Sequence, residues 1–168
     1  MNRVVIVGSG GSGKSHLARE LGRLLDVPVT HLDAVFFGED WTPLPQDKFE
    51  AVQRELVSTP RWVIDGNYNS TLHVRLEACD TVVMMDIPTW SALWGIFSRQ
   101  VRHGAGQHAA GVYNRINWGV LIYVATYRRR MRPKVLEKIH KLAADKQVVF
   151  LRGRRSTRRW LEHLAAQR

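Results

Sequence analysis

The sequence predicts a three-layer α/β fold, in which a parallel sheet lies between two layers of helices. Short apolar runs alternate along the chain with segments of helical periodicity, as in strands joined by crossover helices. Polar residues follow the ends of the apolar runs, where open parallel sheets bind their ligands. These residues are Gly8, Asp33, Asp65, Asp86 and Arg152. The 168 residues, 45% of them hydrophobic, are enough for one domain with a real core.

Apolar runs predict five strands, and prolines and apolar spacing predict the helices between them. The predicted strands are 3–7, 29–32, 62–64, 81–85 and 147–151. The predicted helices are 14–25, 46–58, a segment starting at Pro88, 117–131, a segment restarting at Pro133 and a last segment capped by Ser156. Trp90, Trp94 and Phe97 recur at helical spacing after Pro88, so we expect that face to belong to the core.

Composition limits the class of protein. Cys79 is the single cysteine, so the chain forms no internal disulfide, which fits a cytoplasmic location. The first residues do not have the pattern of a signal peptide. The longest apolar run, 118–127, is far shorter than the ~20 residues that cross a bilayer. We therefore expect a cytoplasmic protein with no membrane partner.

Charge is divided unequally along the chain. Residues 1–98 carry 8 basic and 12 acidic side chains, a net charge of −4, whereas residues 99–168 carry 17 and 3, a net charge of +14. Such a basic surface favours a polyanionic partner. The phosphates of a nucleotide and the backbone of a nucleic acid are both candidates.

The first predicted strand is followed by a phosphate-binding loop. Residues 8–15 match the pattern G-x-x-x-x-G-K-[ST] without exception and lie between a predicted strand and a predicted helix. Glycines let successive N–H groups point at phosphate oxygens, and the helix N-terminus adds positive charge. We expect ATP to bind here, with Lys14 on the β- and γ-phosphates and the Ser15 hydroxyl on Mg²⁺. The ATP-binding residues are then Gly8, Ser9, Gly10, Gly11, Ser12, Gly13, Lys14 and Ser15.

Acidic residues at other strand ends suggest the rest of the site. Asp65 is the expected acid on the metal side, with Asp86 as a rival. Asp33 follows the second strand, where its carboxylate would bind the acceptor hydroxyl or act as a base. Asn67 and Tyr68 would line the same cleft. Asp65 and Asp86 are otherwise ordinary turn residues, and Asp33 a helix cap or solvated acid.

His31 lies among apolar residues and is expected to be a satisfied core histidine. The histidines and the single cysteine do not have zinc-ligand spacing.

Two groups of arginines flank a glycine-rich stretch, 103–111, that breaks the helical pattern as a mobile loop would. Arg99 and Arg102 precede it, and Arg128, Arg129, Arg130 and Arg132 follow it. Planar guanidinium groups bind phosphate in pairs of hydrogen bonds and stabilise the charge of a phosphoryl-transfer transition state. We expect Arg99 and Arg102 to contact ATP, and Arg128 and Arg129 to be catalytic. The alternative is a solvated helix end, where cations complement the helix dipole.

The chain resembles the topology modulation protein family of adenylate-kinase-like P-loop proteins. Nearly the whole chain carries the resemblance. It runs through 8–15, His31-Leu-Asp33, 62–68 (Trp-Val-Ile-Asp-Gly-Asn-Tyr), 81–88 and Tyr127-Arg-Arg-Arg130 with Pro133. It implies a P-loop NTPase fold of the nucleoside-phosphate-kinase type, with a five-stranded parallel sheet and a small helical lid at about 103–132. The family name suggests an influence on DNA supercoiling, which these residues do not explain.

The resemblance also raises a question about the acceptor. Adenylate kinases carry Asp-Gly-Phe-Pro-Arg where this chain has Asp65-Gly66-Asn67-Tyr68, so the arginine that grips the acceptor's phosphate is missing. Arg75 is the candidate substitute.

These observations predict an ATP- and Mg²⁺-dependent kinase that acts on a small acceptor, such as a nucleoside monophosphate, a nucleoside or another small alcohol. Two alternatives remain. One is a nucleotide-dependent regulator that binds nucleic acid, although the chain carries no nucleic-acid-binding motif. The other is an NTPase switch without an acceptor. The sequence leaves the oligomeric state open.

Overall fold

The computed structural model describes residues 1–37, 42–103, 107–109, 112–113 and 118–167, with backbone alone for 99–103, 107–109 and 112–113. Its strands are β1 (Arg3–Gly8), β2 (Val29–His31), β3 (Trp62–Asp65), β4 (Thr81–Met85), β5 (Gln107–Ala109), β6 (Val112–Tyr113) and β7 (Gln147–Leu151). Its helices are α1 (Lys14–Leu25), α2 (Leu32–Phe36), α3 (Gln46–Ser58), α4 (Leu72–Ala78), α5 (Thr89–His103), α6 (Trp118–Arg130), α7 (Arg132–Leu142) and α8 (Arg154–Ala166).

Five parallel strands form the main sheet, in the order β2-β3-β1-β4-β7. The central strand β1 pairs with β3 on one side and β4 on the other, and Ile6 is opposite both Asp65 and Val83. Because parallel strands need crossover connections, each pair is joined through at least one helix. This sheet confirms the predicted α/β fold with five parallel strands.

Alternating strand residues divide the core into two clusters, one on each face of the sheet. Val5, Val7 and Ile64 pack with α3, α4 and α7 through Phe49, Leu72, Val135 and their neighbours. Val4, Ile6 and Val83 point the other way and pack with α1 and α8. Successive side chains of a strand face opposite sides, so a central strand buried on both faces is apolar throughout.

Helices α5 and α6 form a third, smaller cluster at the end of the sheet that carries the P-loop. Ala92, Ile96 and Val124 are its buried members. A Cβ atom at Gly95 would lie 2.3 Å from the carbonyl oxygen of Gly11, so the helix and the loop touch backbone to backbone. Glycine at this crossing is therefore required by the packing.

Several predicted features differ from the structure. The face after Pro88 that was expected in the core is open to solvent, with Trp90 74%, Trp94 58% and Phe97 59% exposed, because Ala92 and Ile96 face the protein instead. The last helix begins at Arg154, and Gly153 is its N-cap. Ser156 lies in the first turn, where its hydroxyl accepts a hydrogen bond from Gly153 N–H at 3.1 Å.

The sequence analysis missed four elements, namely α2, α4 and the antiparallel strands β5 and β6. Part of the stretch expected as a loop, 103–111, is thus strand, and residues 104–106 and 110–111 lie outside the described residues. In the part of the chain that the structure describes, no helix has both the length and the apolarity to cross a membrane.

Candidate functional site

The P-loop connects β1 to α1 at the carboxyl edge of the central strand. Gly11 has a φ of +73° and Gly13 a φ of +92°, in the left-handed region where only glycine is unstrained. A backbone curled in this way can turn N–H groups inward beside the first turn of α1, which begins at Lys14. These are features of a phosphate-binding loop. The Ser12 hydroxyl is buried beside the loop, with no hydrogen-bond partner among the described residues.

Lys14 folds back over its own loop. Its ammonium group donates to the carbonyl oxygens of Gly8, at 3.0 Å, and Ser9, at 2.8 Å. These contacts hold the charge at the mouth of the loop, where the β- and γ-phosphates of a nucleotide would lie.

Asp65 connects the P-loop to the neighbouring strands. The Ser15 hydroxyl donates to Asp65 Oδ2 at 2.9 Å, and His31 Nδ1 lies 2.5 Å from Oδ1. Asp65 is 4% exposed, so its carboxylate has little contact with solvent. A hydroxyl and a carboxylate in contact beside a phosphate cradle are the oxygen ligands that Mg²⁺ prefers. The residues present thus fit a magnesium ion.

Asn67 joins the loop that follows β3 to the P-loop. Gly8 N–H donates to Asn67 Oδ1 at 2.9 Å, and Asn67 Nδ2 donates to Gly8 O at 2.6 Å. The second Nδ2 hydrogen bond goes to the hydroxyl of Tyr123 on α6, at 2.7 Å. Both donors of the amide are therefore occupied. Asn67 was expected to line the acceptor cleft, and in this structure it positions the P-loop.

Asp33 and Tyr68 meet at the edge of the site. The Tyr68 hydroxyl donates to Asp33 Oδ1 at 2.8 Å, and Asp33 is exposed. Burial, followed by the charge of Asp33, raises the pKa of Tyr68, so its hydroxyl keeps its proton. The Tyr68 ring packs against Phe36 and Phe49, with centroids 5.0 and 4.8 Å away. The pair presents a fixed carboxylate at the end of β2.

Arg75 lies in a different place from the one expected for a phosphate grip. Its side chain is completely buried, and its guanidinium donates to Gly66 O at 2.7 Å and Asn67 O at 2.8 Å. Burial lowers the pKa of Arg75 to about 9, while the charge of Asp65 opposes that shift. Because α4 places the guanidinium beneath the 66–67 backbone, Arg75 supports that loop from inside and is closed to solvent.

Asp86 is held by α6 and α7. Arg132 binds it through two hydrogen bonds, Nε to Oδ1 at 2.8 Å and Nη2 to Oδ2 at 2.9 Å. Arg128 Nη2 lies 3.7 Å from Oδ1. The hydrogen bond from Arg132 lowers the pKa of Asp86. Both carboxylate oxygens of Asp86 face guanidinium groups. Asp86 therefore positions these arginines and is a weaker candidate than Asp65 for a metal ligand.

The structure brings together only part of the expected arginine set. Arg128 lies beside Asp86, and Arg129 is exposed at the end of α6. Arg99 and Arg102 belong to α5, but their side chains lie outside the described residues.

Helix α6 covers one side of the P-loop. A Cβ atom at Gly10 would lie 2.9 Å from Val124 Cγ2. One turn further along the helix, the Tyr127 side chain is 2% exposed, and its hydroxyl has no hydrogen-bond partner among the described residues. Burial raises the pKa of Tyr127, with smaller effects from Tyr123 and Asp86. The Tyr127 hydroxyl is therefore neutral and buried, with no hydrogen-bond partner in the described part of the chain.

Sequence reasoning missed the roles of His31 and Tyr123. His31 was expected in the core, but the β2–β3 register places it opposite Asp65. That pairing was a usable signal, because strand-end residues of adjacent parallel strands are neighbours. Tyr123 gave no such signal, since its contact with Asn67 depends on how α6 packs across the loop.

No protein-family model and no curated protein matches this sequence. Solved structures do match it. Shikimate kinase from Acinetobacter baumannii, in complex with shikimate, has a TM-score of 0.62 at 14% identity, covering 99% of this chain and 92% of that chain. Shikimate kinase from Bacteroides thetaiotaomicron has a TM-score of 0.56 at 15% identity, covering 99% and 97%. Shikimate kinase from Aquifex aeolicus has a TM-score of 0.50 at 16% identity, covering 98% and 94%.

At these identities the likeness concerns the fold. None of these comparisons supports the resemblance to the topology modulation family, which stays a prediction. The chain shares the fold of these solved shikimate kinases.

Proposed function

We propose that this protein is an ATP-dependent phosphotransferase that moves the γ-phosphoryl group of ATP to a hydroxyl of a small acceptor. The observation that carries the proposal is the 2.9 Å contact between Ser15 and Asp65 inside a complete phosphate-binding loop. Asp33 lies two residues beyond His31, the partner of Asp65, and supplies a carboxylate on the acceptor side. The shared fold with solved P-loop kinases supports the same reaction class.

Each group near the loop has a role in this reaction. The loop N–H groups and Lys14 would bind the β- and γ-phosphates. Ser15 and Asp65 would hold Mg²⁺, which neutralises charge on those phosphates when bound. His31 orients Asp65, and Asn67 holds the start of the loop in place.

Charge that develops during transfer needs fixed donors. Arg132 is immobilised by Asp86, and Arg128 lies beside the same carboxylate. We assign Arg128 to the transferred phosphoryl group because it lies beside Asp86, whereas Arg129 is exposed on the side of α6 away from Val124 and takes no part in this assignment. Arg99 and Arg102 precede residues 104–117 in the lid segment, and we retain them as proposed ATP contacts.

Asp33 would accept the proton of the acceptor hydroxyl. Tyr68 donates to one oxygen of this carboxylate, which leaves the other oxygen for the substrate. A hydroxyl held in this way points its oxygen at the γ-phosphate, and positioning is the larger part of catalysis in phosphoryl transfer.

The buried position of Arg75 bears on the acceptor. Its guanidinium is bound to the backbone of Gly66 and Asn67 and would not reach an acceptor phosphate. This favours a nucleoside or another small alcohol over a nucleoside monophosphate.

An ATP-consumption screen with Mg²⁺ tests the proposal. The acceptors are nucleosides, nucleoside monophosphates and small alcohols, with shikimate included because one solved relative in fold was crystallised with it. We expect one acceptor to raise turnover well above background. Lys14→Ala should abolish the increase, whereas Lys48→Ala, an exposed lysine of α3, should not.

A second pair of variants separates binding from transfer. Asp33→Asn should lower kcat for the acceptor about 10²-fold or more and leave ATP affinity unchanged, because it removes the base but not the loop. Asp47→Asn on α3 is the matched control. Tight ATP binding with no acceptor-dependent turnover would contradict the kinase assignment and favour an NTPase switch.

A further inference from the structure

Residues 87–136 contain no acidic side chain. Asp86 precedes this segment and Glu137 follows it, and the 50 residues between them carry 8 lysines and arginines. The segment, called here the acid-free segment, includes α5 and α6. Its charge differs in sign from that of residues 1–98.

Large apolar side chains are exposed on the same segment. Among the described residues, six large hydrophobic side chains are exposed, and five of them belong to it. Trp90, Trp94, Phe97, Trp118 and Ile122 form this set, which we call the aromatic face. Phe150 on β7 is the sixth.

The aromatic face has helical order. On α5, positions 90, 94 and 97 lie on one side, and on α6, positions 118, 122, 125 and 129 lie on one side. Ala125 and Arg129 continue the α6 stripe and are also exposed. The opposite sides of both helices carry Ala92, Ile96 and Val124, which pack into the protein. Each helix therefore has two apolar sides, and only one of the two sides packs against the rest of the protein.

The exposed area is large for a protein surface. At ~150–250 Å² for each large side chain, the exposed fractions of these five residues, three on α5 and two on α6, add up to on the order of 700 Å². Monomeric soluble proteins rarely expose contiguous apolar patches larger than a few hundred Å². An exposed apolar patch of this size usually binds another molecule or a membrane.

We propose that the aromatic face binds the surface of an anionic lipid bilayer. Indole rings are favoured at the boundary between headgroups and acyl chains, and arginines next to apolar helix faces bind anionic headgroups. The charge of the segment complements such a surface, because each Lys or Arg near it adds to the attraction.

Charge and chemistry argue against other occupants. A second copy would bring two acid-free segments of the same sign together across a twofold axis. A nucleic acid would suit the charge, but the exposed positions of the face carry no amide or hydroxyl side chain that could bond to a base edge. The expectation of no membrane partner considered only helices that span a bilayer, whereas these helices would lie on its surface.

Co-sedimentation with sucrose-loaded vesicles tests the proposal. Vesicles of phosphatidylcholine with 30% phosphatidylglycerol should bind the protein, and vesicles of phosphatidylcholine alone should bind it much less. Binding should weaken as NaCl rises from 50 to 500 mM, because salt screens the attraction. Replacing both Trp94 and Trp118 by Ser should weaken binding about tenfold or more, since two indoles no longer leave water.

Matched variants distinguish binding through the aromatic face from nonspecific adsorption to vesicles. Phe150→Ser removes an exposed aromatic outside the segment and should leave vesicle binding unchanged. Arg129→Gln on the α6 stripe should weaken binding, whereas Arg158→Gln on α8 should not. Circular dichroism and the thermal midpoint of each variant would verify the fold.

Three results would overturn the proposal. The first is equal binding to neutral and anionic vesicles. The second is unchanged binding after loss of Trp94 and Trp118. The third is indole-dependent binding of a labelled 20-nucleotide oligonucleotide, or an indole-dependent dimer by light scattering, without vesicle binding.

Discussion

The side-chain amide of Asn67 binds both backbone polar groups of Gly8, accepting from its N–H at 2.9 Å and donating to its carbonyl at 2.6 Å. These hydrogen bonds fix the loop that follows β3 to the start of the P-loop, across 59 residues of sequence. The start of the P-loop depends on this contact as much as on its own glycines.

Asn67→Asp should therefore weaken both stability and ATP binding. The substitution keeps the shape but replaces a donor with a carboxylate oxygen next to Gly8 O. We expect a loss of about 1–3 kcal/mol in the free energy of unfolding and weaker ATP binding. Urea unfolding and nucleotide titration measure the two effects. Gln46→Glu, at an exposed amide in the first turn of α3, is the control, and an equal loss there would contradict the assignment.

Tyr127→Phe should leave stability unchanged or raise it by up to about 1 kcal/mol, because the buried hydroxyl has no partner among the described residues. Tyr123→Phe, on the same side of α6, should cost about 1 kcal/mol because it breaks the 2.7 Å bond to Asn67. Thermal unfolding of the two variants compares them directly. A larger loss for Tyr127→Phe than for Tyr123→Phe would be inconsistent with this description.

Gly11→Ala should destabilise the protein by about 3 kcal/mol or more. A Cβ atom there would lie 2.2 Å from Ala92 O, and the φ of +73° is strained for alanine. Gly95→Ala, whose Cβ atom would lie 2.3 Å from Gly11 O, should behave similarly. At Gly153 a Cβ atom would meet nothing within 4 Å, so Gly153→Ala should cost about 1 kcal/mol or less as a weaker helix cap. Chemical denaturation distinguishes these cases.

The ion pair of Asp86 with Arg132 should stabilise the fold in a pH-dependent way. The pKa of Asp86 is lowered in the folded state from its usual 3.8, so its contribution is present above pH 3.8 and is lost as the pH falls toward the lower folded value. Asp86→Asn should cost about 1–3 kcal/mol at neutral pH, because it leaves the Arg132 guanidinium without its carboxylate partner. The difference from wild type should shrink below pH 3.8. A constant difference between pH 6 and pH 3 would refute the linkage.

Cys79 should react slowly in the folded protein. Burial raises the pKa of its thiol to about 11, against an ordinary 9.0, so about a hundredfold less thiolate is present at pH 8. The thiol is also 2% exposed. Modification by a disulfide reagent should be fast in urea and much slower without it. Similar rates in both conditions would show that α4 opens readily.

Local sequence signals located most of the secondary structure. Helices α1 and α3 and strands β4 and β7 have the predicted bounds, because apolar periodicity and proline positions act over a few residues. Helix α2 was missed because a five-residue helix carries too little periodicity. The exposure of Trp94 was missed because spacing identifies an apolar face but not whether anything packs on it.

Some features of the candidate site could likewise be predicted from the local sequence, and others could not. The glycine pattern at 8–15 and the acids at the strand ends were readable, since their chemistry is local and parallel strands end at a common edge. The burial of Arg75 could not be predicted from the sequence, because it depends on the packing of α4 beneath residues 66–67.

By itself, the sequence determined a phosphate-binding loop on a five-stranded parallel sheet and the positions of the acids around it. The tertiary structure alone decided that Asn67 holds Gly8, that Arg132 holds Asp86 and that α5 and α6 turn an aromatic face to solvent. Strands and loops are specified mainly by residues that are close together in the sequence. Contacts between elements depend instead on how helices cross the sheet, and that geometry arises only when the whole core packs.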